Sequence, residues 1–307
     1  MEITTKKISR FRGNDISPVS NFTLNAIFFL YSFLCLAPIV LVIAVSLTDE
    51  KSLATNGFSF IPKVFSLGAY EFLVADWRSL VRSYAITLYA TFVGTFLAVL
   101  ITSMFAYVVS RKDFKYRNHL AFFMFFTMLF NGGLVPWYMM YTQLLHLKDN
   151  LLVFIIPTLF SAYNMLIIRT YFKNNVADSL IESAKIDGAG EFTIFFKIVV
   201  PISKPVFATI SLFVGLYIWN DWYISLLYIN SPEMINLQYL MYKTMVNIQS
   251  LQSHITDIPN AAEMIAKMPN RSLRMAMAVV GIGPIVLAYP FLQKYFIKGL
   301  TIGAVKG

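Results

Sequence analysis

In the stretch LYIWNDWYISLLY an acid, Asp221, and an amide, Asn220, stand among the rings of Tyr217, Trp219, Trp222 and Tyr223, in surroundings that are otherwise apolar. This set suits binding rather than bond cleavage. Ring faces stack on the apolar faces of a sugar, while a carboxylate and an amide take its hydroxyls. At helical spacing Tyr217 and Asp221, four apart, share a face, and Asn220 lies one residue off that stripe. The other outcome open to these residues is internal: Asp221 bonds within a helix bundle and the tryptophans form an interfacial belt. A second cluster, FNGGLVPWYMMYTQL, places Asn131, Gly132 and Gly133 ahead of Pro136, Trp137, Tyr138 and Tyr141. An interrupted helix there would line a pathway or gate, or serve close packing through its glycines. Asn164 is a weaker candidate of the same kind.

Bond-making chemistry finds little support. His119, His146 and His254 are far apart in sequence, so neither a zinc site nor a histidine relay is indicated. The stretch GIGP, from Gly281 to Pro284, lacks the Gly-Lys-Ser/Thr end of a phosphate loop. The lone Cys35 can build neither a disulfide nor a thiolate metal site within the chain.

The elements that must position these residues follow from composition. The chain of 307 residues is 57% hydrophobic and only 13% charged, about half the charge usual for a soluble domain. Helices that cross a bilayer need roughly 20 apolar residues, and six stretches qualify, about 22–46, 83–109, 118–141, 151–171, 205–229 and 275–297. The expectation is an all-α membrane protein with six transmembrane helices. The first run is too long for a signal peptide and ends in no small-residue cleavage pattern, so it is expected to stay.

Basic residues set the topology, because loop orientation follows Lys and Arg and barely follows acids. The N-terminal tail, the 110–117 connection, the 169–204 region and the C-terminus carry 16 of the 25 Lys and Arg residues. Both termini are therefore expected in the cytoplasm. The net charge of +9 is then membrane topology; scattered basic residues form no patch for nucleic acid. The 230–274 segment falls outside, where its AAEMIAKM stretch suggests a small helical cap able to meet a delivery protein.

On the cytoplasmic side the longest polar connection is 172–205. Val176, Leu180, Ile181 and Ala184 share one helical face while Asp178, Glu182 and Lys185 point elsewhere. Asp187 and Gly188 interrupt that helix. Apolar spacing resumes at Phe192, Phe195, Phe196 and Val199, and Pro201 and Pro205 redirect the chain into the next span. Helix, tight turn and helix make a shape that fills a groove on a soluble partner, or one that rests on membrane lipid.

The stretch ESAKIDGAGEFTIFFKIVVP resembles the cytoplasmic EAA loop of permease subunits from bacterial ATP-driven (ABC) importers. The matching residues are Glu182, Ser183, Ala184, Asp187, Gly188, Ala189, Phe195 and Pro201, with Ser183 in place of the usual alanine. The end of the chain, YPFLQKYFIKGLTIGAVKG, is similar to the C-terminus of carbohydrate importers of the maltose-permease second-subunit type, especially the branch that takes complex oligosaccharides. The resemblance implies a type I importer permease in the bacterial cytoplasmic membrane, 1–307 forming one transmembrane domain and 172–205 its coupling loop. It further implies a second homologous permease, two ATP-binding subunits that hold ATP and Mg, and an extracytoplasmic solute-binding protein that delivers an oligosaccharide. Glu182 and Gly188 are expected to meet the ATPase, and Lys298, Gly299, Gly303 and Lys306 to help seat it. The chain itself is expected to hold no cofactor and to hydrolyse nothing. A secondary transporter, sustained by an ion gradient, and a non-transporting structural or signalling membrane protein are the other classes compatible with six spans.

Overall fold

The structure is a computed structural model that describes the backbone of residues 18–254 and 269–304 and the side chains of 18–250 and 269–287. It is built of helices. In chain order these are α1 Pro18–Ser46, α2 Glu50–Asn56, α3 Gly68–Ala75, α4 Trp77–Ser110, α5 Arg117–Leu129, α6 Leu134–Met139, α7 Ala162–Asn175, α8 Asp178–Ile186, α9 Glu191–Ile194, α10 Val200–Ile202, α11 Lys204–Asn220, α12 Tyr223–Tyr228, α13 Leu237–His254 and α14 Arg271–Ala304. Wider π turns follow α6 and α9, and tight 3₁₀ turns at Leu151–Phe154 and Ile156–Thr158 lead towards α7.

Among the described residues two helices, α1 and α4, are long and apolar enough to cross a membrane. The number rises to five if each bent pair counts as one span: Arg117–Leu129 with Leu134–Leu144, bent by 114°, Leu151–Thr158 with Ala162–Asn175, by 48°, and Glu191–Ile202 with Lys204–Asn220, by 84°. Two expected spans therefore differ in form: the 151–171 run opens in 3₁₀ turns and bends before α7, and the 205–229 run ends its helix at Asn220. The 118–141 run breaks at Phe130–Gly133, at the glycines that interrupt it in the sequence. The AAEMIAKM stretch lies outside the described residues, although α13 supplies a helix of 18 residues in the same segment.

The centre of the bundle is α4. At 34 residues it is about 51 Å long, well beyond the ~30 Å hydrocarbon core of a bilayer. Its buried side is a seam of small residues: Ser83, Thr87, Ala90, Gly94, Ala98, Thr102 and Ala106. These recur every three or four positions, so they lie along one face. In lipid, where apolar residues gain little by leaving the solvent, such seams let neighbouring helices approach and pack by contact. A β-carbon added at Gly94 would lie 2.9 Å from Ile218 Cδ1 of α11, which shows how close the two helices come. Helices α7 and α11 both pack on α4, and α14 packs on α11 and α1. Tyr84 donates to the carbonyl of Val280 at 2.5 Å and Trp219 to that of Gly281 at 2.9 Å, fixing α14 to α4 and α11.

Only Ala44, Val45 and Ser46 of α1 are buried. Ala37, Leu41 and Val42 are half-buried, and the rest of that helix carries its aromatic and aliphatic side chains outward.

A distant acid caps α14. Glu50, the first residue of α2, accepts from the Arg271 and Ser272 amides at 3.0 Å each and from Ser272 Oγ at 2.7 Å. The first N–H groups of a helix have no intrahelical partner and the helix dipole favours an anion beside them. Glu50→Ala is expected to cost about 1–2 kcal/mol, lowering the unfolding midpoint of the solubilised protein by roughly 2–6 °C. Glu50→Gln, which keeps one acceptor, should fall between. An unchanged midpoint for Glu50→Ala would show the cap to be idle.

Candidate functional site

The 172–205 loop is folded by its own sequence. α8 begins at Asp178 and ends with Lys185 in its last turn, each sign complementing the nearer end of the helix dipole. It closes in a Schellman turn: the Ala189 amide donates to Ala184 O at 2.9 Å and the Gly188 amide to Lys185 O at 3.0 Å. Gly188 takes a φ of 78°, a left-handed conformation that costs a side-chain-bearing residue about 1–2 kcal/mol. This accounts for three of the motif residues. Gly188 makes the turn, while Ala184, buried, and Ala189, packed against the core, are the small apolar pair that usually accompanies it.

Ile181 and Ala184 face the core, whereas Leu180 is exposed, contrary to the apolar stripe expected from spacing. In the second arm Ile194, Phe195 and Val199 are buried and Phe192 and Phe196 are exposed. The π turn at Phe195–Val199 admits five-residue spacing on one face and so brings Val199 into line with Ile194. Pro201 is exposed and opens α10. Pro205 lies in the first turn of α11, where its missing N–H costs nothing. The outer surface of the turn thus presents Glu182, Ser183, Ile186, Asp187, Gly188 and Phe192. Ile186 is 86% exposed, an apolar side chain left uncovered by its own chain.

The loop is tied to the end of α4 by polar residues that periodicity did not single out. Lys185 Nζ lies 2.8 Å from Asp113 Oδ2 and 2.8 Å from Glu191 Oε1. Tyr107 donates to Glu191 Oε2 at 2.6 Å. Arg111 holds Asp113 through two nitrogens at 3.2 and 3.0 Å, and Lys112 meets Asp178 at 2.6 Å. Hydrogen bonds from Arg111 and Lys185 hold the Asp113 carboxyl well below the usual carboxylate range, and the bonds to Asp113 and Glu191 raise Lys185. The network is therefore fully charged near neutral pH. The Tyr107 ring packs on Phe195, with centroids 5.4 Å apart.

At the opposite end of α11, about 25 Å away along a 17-residue helix, the Asp221 carboxylate accepts the Ile224 amide at 2.8 Å. This bond caps the short helix α12. Asn236 donates to the Asp221 carbonyl and accepts from Ser225 Oγ at 2.8 Å. Tyr217, Asn220, Trp222 and Tyr223 are exposed, whereas Trp219 is buried on α14. Because helical geometry stops at Asn220, the expected Tyr217–Asp221 face is not a continuous helical stripe. Tyr242 of α13, absent from the expectation, stacks on Trp222 at 4.4 Å.

In the second cluster, Asn131 Oδ1 accepts the Gly133 amide at 2.9 Å, Gly133 has a φ of 84°, and the chain turns there. Trp137 is exposed and meets the Tyr141 ring edge-on at 4.9 Å. Tyr138 and Tyr141 both pack against Tyr228 of α12, at 5.5 and 6.0 Å, so the two clusters share a neighbour. Asn164 lies in the first turn of α7, where its amide donates to Ser161 Oγ at 3.4 Å. Lys298, Gly299 and Gly303 fall within α14, and Lys306 lies outside the described residues. Among the described residues no group of three or more His, Cys, Asp or Glu side chains could hold a metal ion.

Helices packed on the small-residue seam of one membrane-length helix, with an exposed helical turn braced beside the end of that helix, define a polytopic membrane protein. The chain belongs to the family of binding-protein-dependent transport system inner membrane components, which it matches over residues 114–302. It is 35% identical to the polygalacturonan/rhamnogalacturonan transport system permease protein YtcP of Bacillus subtilis, covering 91% of this chain and 95% of that one. It is 30% identical to the arabinooligosaccharides transport system permease protein AraQ of the same organism, covering 94% and 97%. Among solved structures it resembles a chain of a bacterial ABC transporter that imports the acidic polysaccharide alginate. There the TM-score is 0.76, the identity 26%, and the coverage 91% of this chain and 96% of that one. The chain is thus a permease component of an ABC-type importer and forms part of its translocation pathway. Permeases of this family are not catalytic; ATP is hydrolysed in separate subunits.

Proposed function

We propose that this chain is one half of the translocation pathway of an ATP-driven oligosaccharide importer, of the maltose-permease second-subunit type. In this reading it crosses the bacterial cytoplasmic membrane six times, through α1, α4, the α5–α6 pair, the turns leading into α7, α11 and α14. Both termini and the 172–205 loop face the cytoplasm. A second, homologous permease completes the pathway, two ATP-binding subunits with ATP and Mg drive it, and an extracytoplasmic solute-binding protein delivers the substrate. Saccharide transport is supported by the similar permeases named for polygalacturonan or rhamnogalacturonan and for arabinooligosaccharide transport. Asn131, Trp137, Tyr217, Asn220, Asp221 and Trp222 are the pathway candidates. Lys298, Gly299, Gly303 and Lys306 are candidates for seating the ATPase.

The observation that carries the docking role is the turn itself. Glu182, Ile186, Gly188 and Phe192 form an exposed, partly apolar projection on a backbone locked by a Schellman turn, the form of a helix-in-groove contact. The test is co-purification of the tagged chain with every bound subunit, followed by uptake of labelled oligosaccharide into vesicles holding the whole complex. Uptake should require ATP on the loop side and the binding protein on the other. Uptake by the chain alone, sustained by an ion gradient, would overturn the proposal in favour of a secondary transporter.

A further inference from the structure

On the docking reading the loop must also pass motion to the spans; its arms pack on the core through Ile181, Ala184, Ile194 and Phe195, but the tip of the turn does not. β-carbons added at Gly188 and Gly190 would meet nothing within 4 Å, and Ile186 and Asp187 are exposed. Across that tip the two arms are joined by polar side chains. Lys185 sits just before it and Glu191 just after it, joined to each other at 2.8 Å. Each then reaches a different residue at or just after the end of α4: Lys185 reaches Asp113, in the connection that follows the helix, and Glu191 reaches the hydroxyl of Tyr107, in its last turn. Arg111, itself 5.9 Å above the Tyr107 ring, closes the circuit on Asp113.

We propose that the circuit Tyr107–Glu191–Lys185–Asp113–Arg111 is the strut through which displacement of the loop moves α4, and that Lys185 and Tyr107 are its positioning residues. This rests on the reading that the loop docks the ATPase. Through Tyr107 the strut ends on the helix against which α7 and α11 pack, so a push on the turn reaches α11, the helix leading to Asp221, by way of α4. Separately, exposed ion pairs contribute little. A closed circuit fixes direction, because Lys185 cannot follow one partner without dragging the other. Tyr107 differs from the rest in being buried, and its ring contact with Phe195 keeps the second arm in place when the hydroxyl is removed.

The test uses the complete complex in vesicles with its binding protein and labelled substrate. Lys185→Met removes both ion pairs at similar side-chain length, Tyr107→Phe removes only the hydroxyl, and Lys185→Arg restores the charge. The readouts are assembled complex, basal ATP hydrolysis and substrate moved per ATP hydrolysed. Lys185→Met and Tyr107→Phe should leave the first two within twofold and lower the third by about fivefold or more, the scale of an ordinary coupling energy. Lys185→Arg should recover most of the loss. A merely structural role would change assembly and leave the ratio alone. An unchanged ratio in both variants would overturn the strut, as would loss of ATPase attachment in both, since the circuit would then be seating the ATPase rather than passing its motion. Docking is reported separately by cross-linking from Ile186→Cys, with Cys35 replaced by Ala, to the ATPase subunit in the otherwise unmodified complex. Failure of that cross-link rejects the docking reading, whereas cross-linking with an unchanged ratio rejects only the strut.

Discussion

Gly188→Val is expected to lower ATPase attachment about tenfold while leaving the chain inserted and abundant, because 1–2 kcal/mol of backbone strain is worth roughly a factor of ten in a binding equilibrium. The motivating geometry is a φ of 78°, closed to a β-branched residue. No internal clash contributes, since an added β-carbon finds nothing within 4 Å in its own chain. Gly188→Asn separates strain from occlusion. Asparagine adopts the left-handed conformation readily, so it keeps the turn while filling the open space above it. If the ATPase closes over that space, Asn should also reduce attachment and substrate-stimulated hydrolysis, though less than Val. If the turn conformation alone matters, Asn should act like glycine and Val should not. ATPase co-purified per permease, with stimulated hydrolysis, decides between them. Unchanged values for both variants would remove Gly188 from the docking surface.

The parts of the molecule legible in its sequence were those governed by neighbours along the chain. Long apolar runs located the helices, Asn131-Gly132-Gly133 marked a real break in the third run, and Asp187-Gly188 marked a real turn. Where the local rule changed, the reading slipped. A 3.6-residue period places Phe192 and Phe196 with Phe195 and Val199, but the buried face is Ile194, Phe195 and Val199, the last brought five positions on from Ile194 by the π turn over Phe195–Val199. Contacts between distant positions left no periodic trace. Lys185 and Asp113 are 72 residues apart, and Glu50 and Ser272 are 222 apart; no spacing rule connects either pair. One missed feature did carry a signal. Asp221 stands two residues before α12, three before the Ile224 amide that its carboxylate accepts, a spacing from which an acid caps a helix, and an unbroken 205–229 span concealed it.

That cap sharpens what substitution at Asp221 reports. The carboxylate accepts the Ile224 amide at 2.8 Å, so Asp221→Ala removes a cap worth about 1 kcal/mol as well as any substrate contact. Asparagine caps as well as aspartate, so Asp221→Asn keeps α12 in place and removes only the charge. For a neutral saccharide, whose hydroxyls need an acceptor rather than an anion, Asn should retain more than half of wild-type uptake per assembled complex. Ala should lose about fivefold, equivalent to roughly one hydrogen bond of ~1 kcal/mol. If the carboxylate serves instead as a structural partner to a cation in the assembled pathway, Asn and Ala should both reduce the amount of complex recovered. An acid at this depth is expensive unless it faces water or a partner, and Asn220 and Trp222 beside it are exposed, so the first outcome is the expected one. Labelled uptake normalised to assembled complex in vesicles separates the cases, and wild-type uptake by both variants would refute a transport role for the side chain and leave it as the cap of α12.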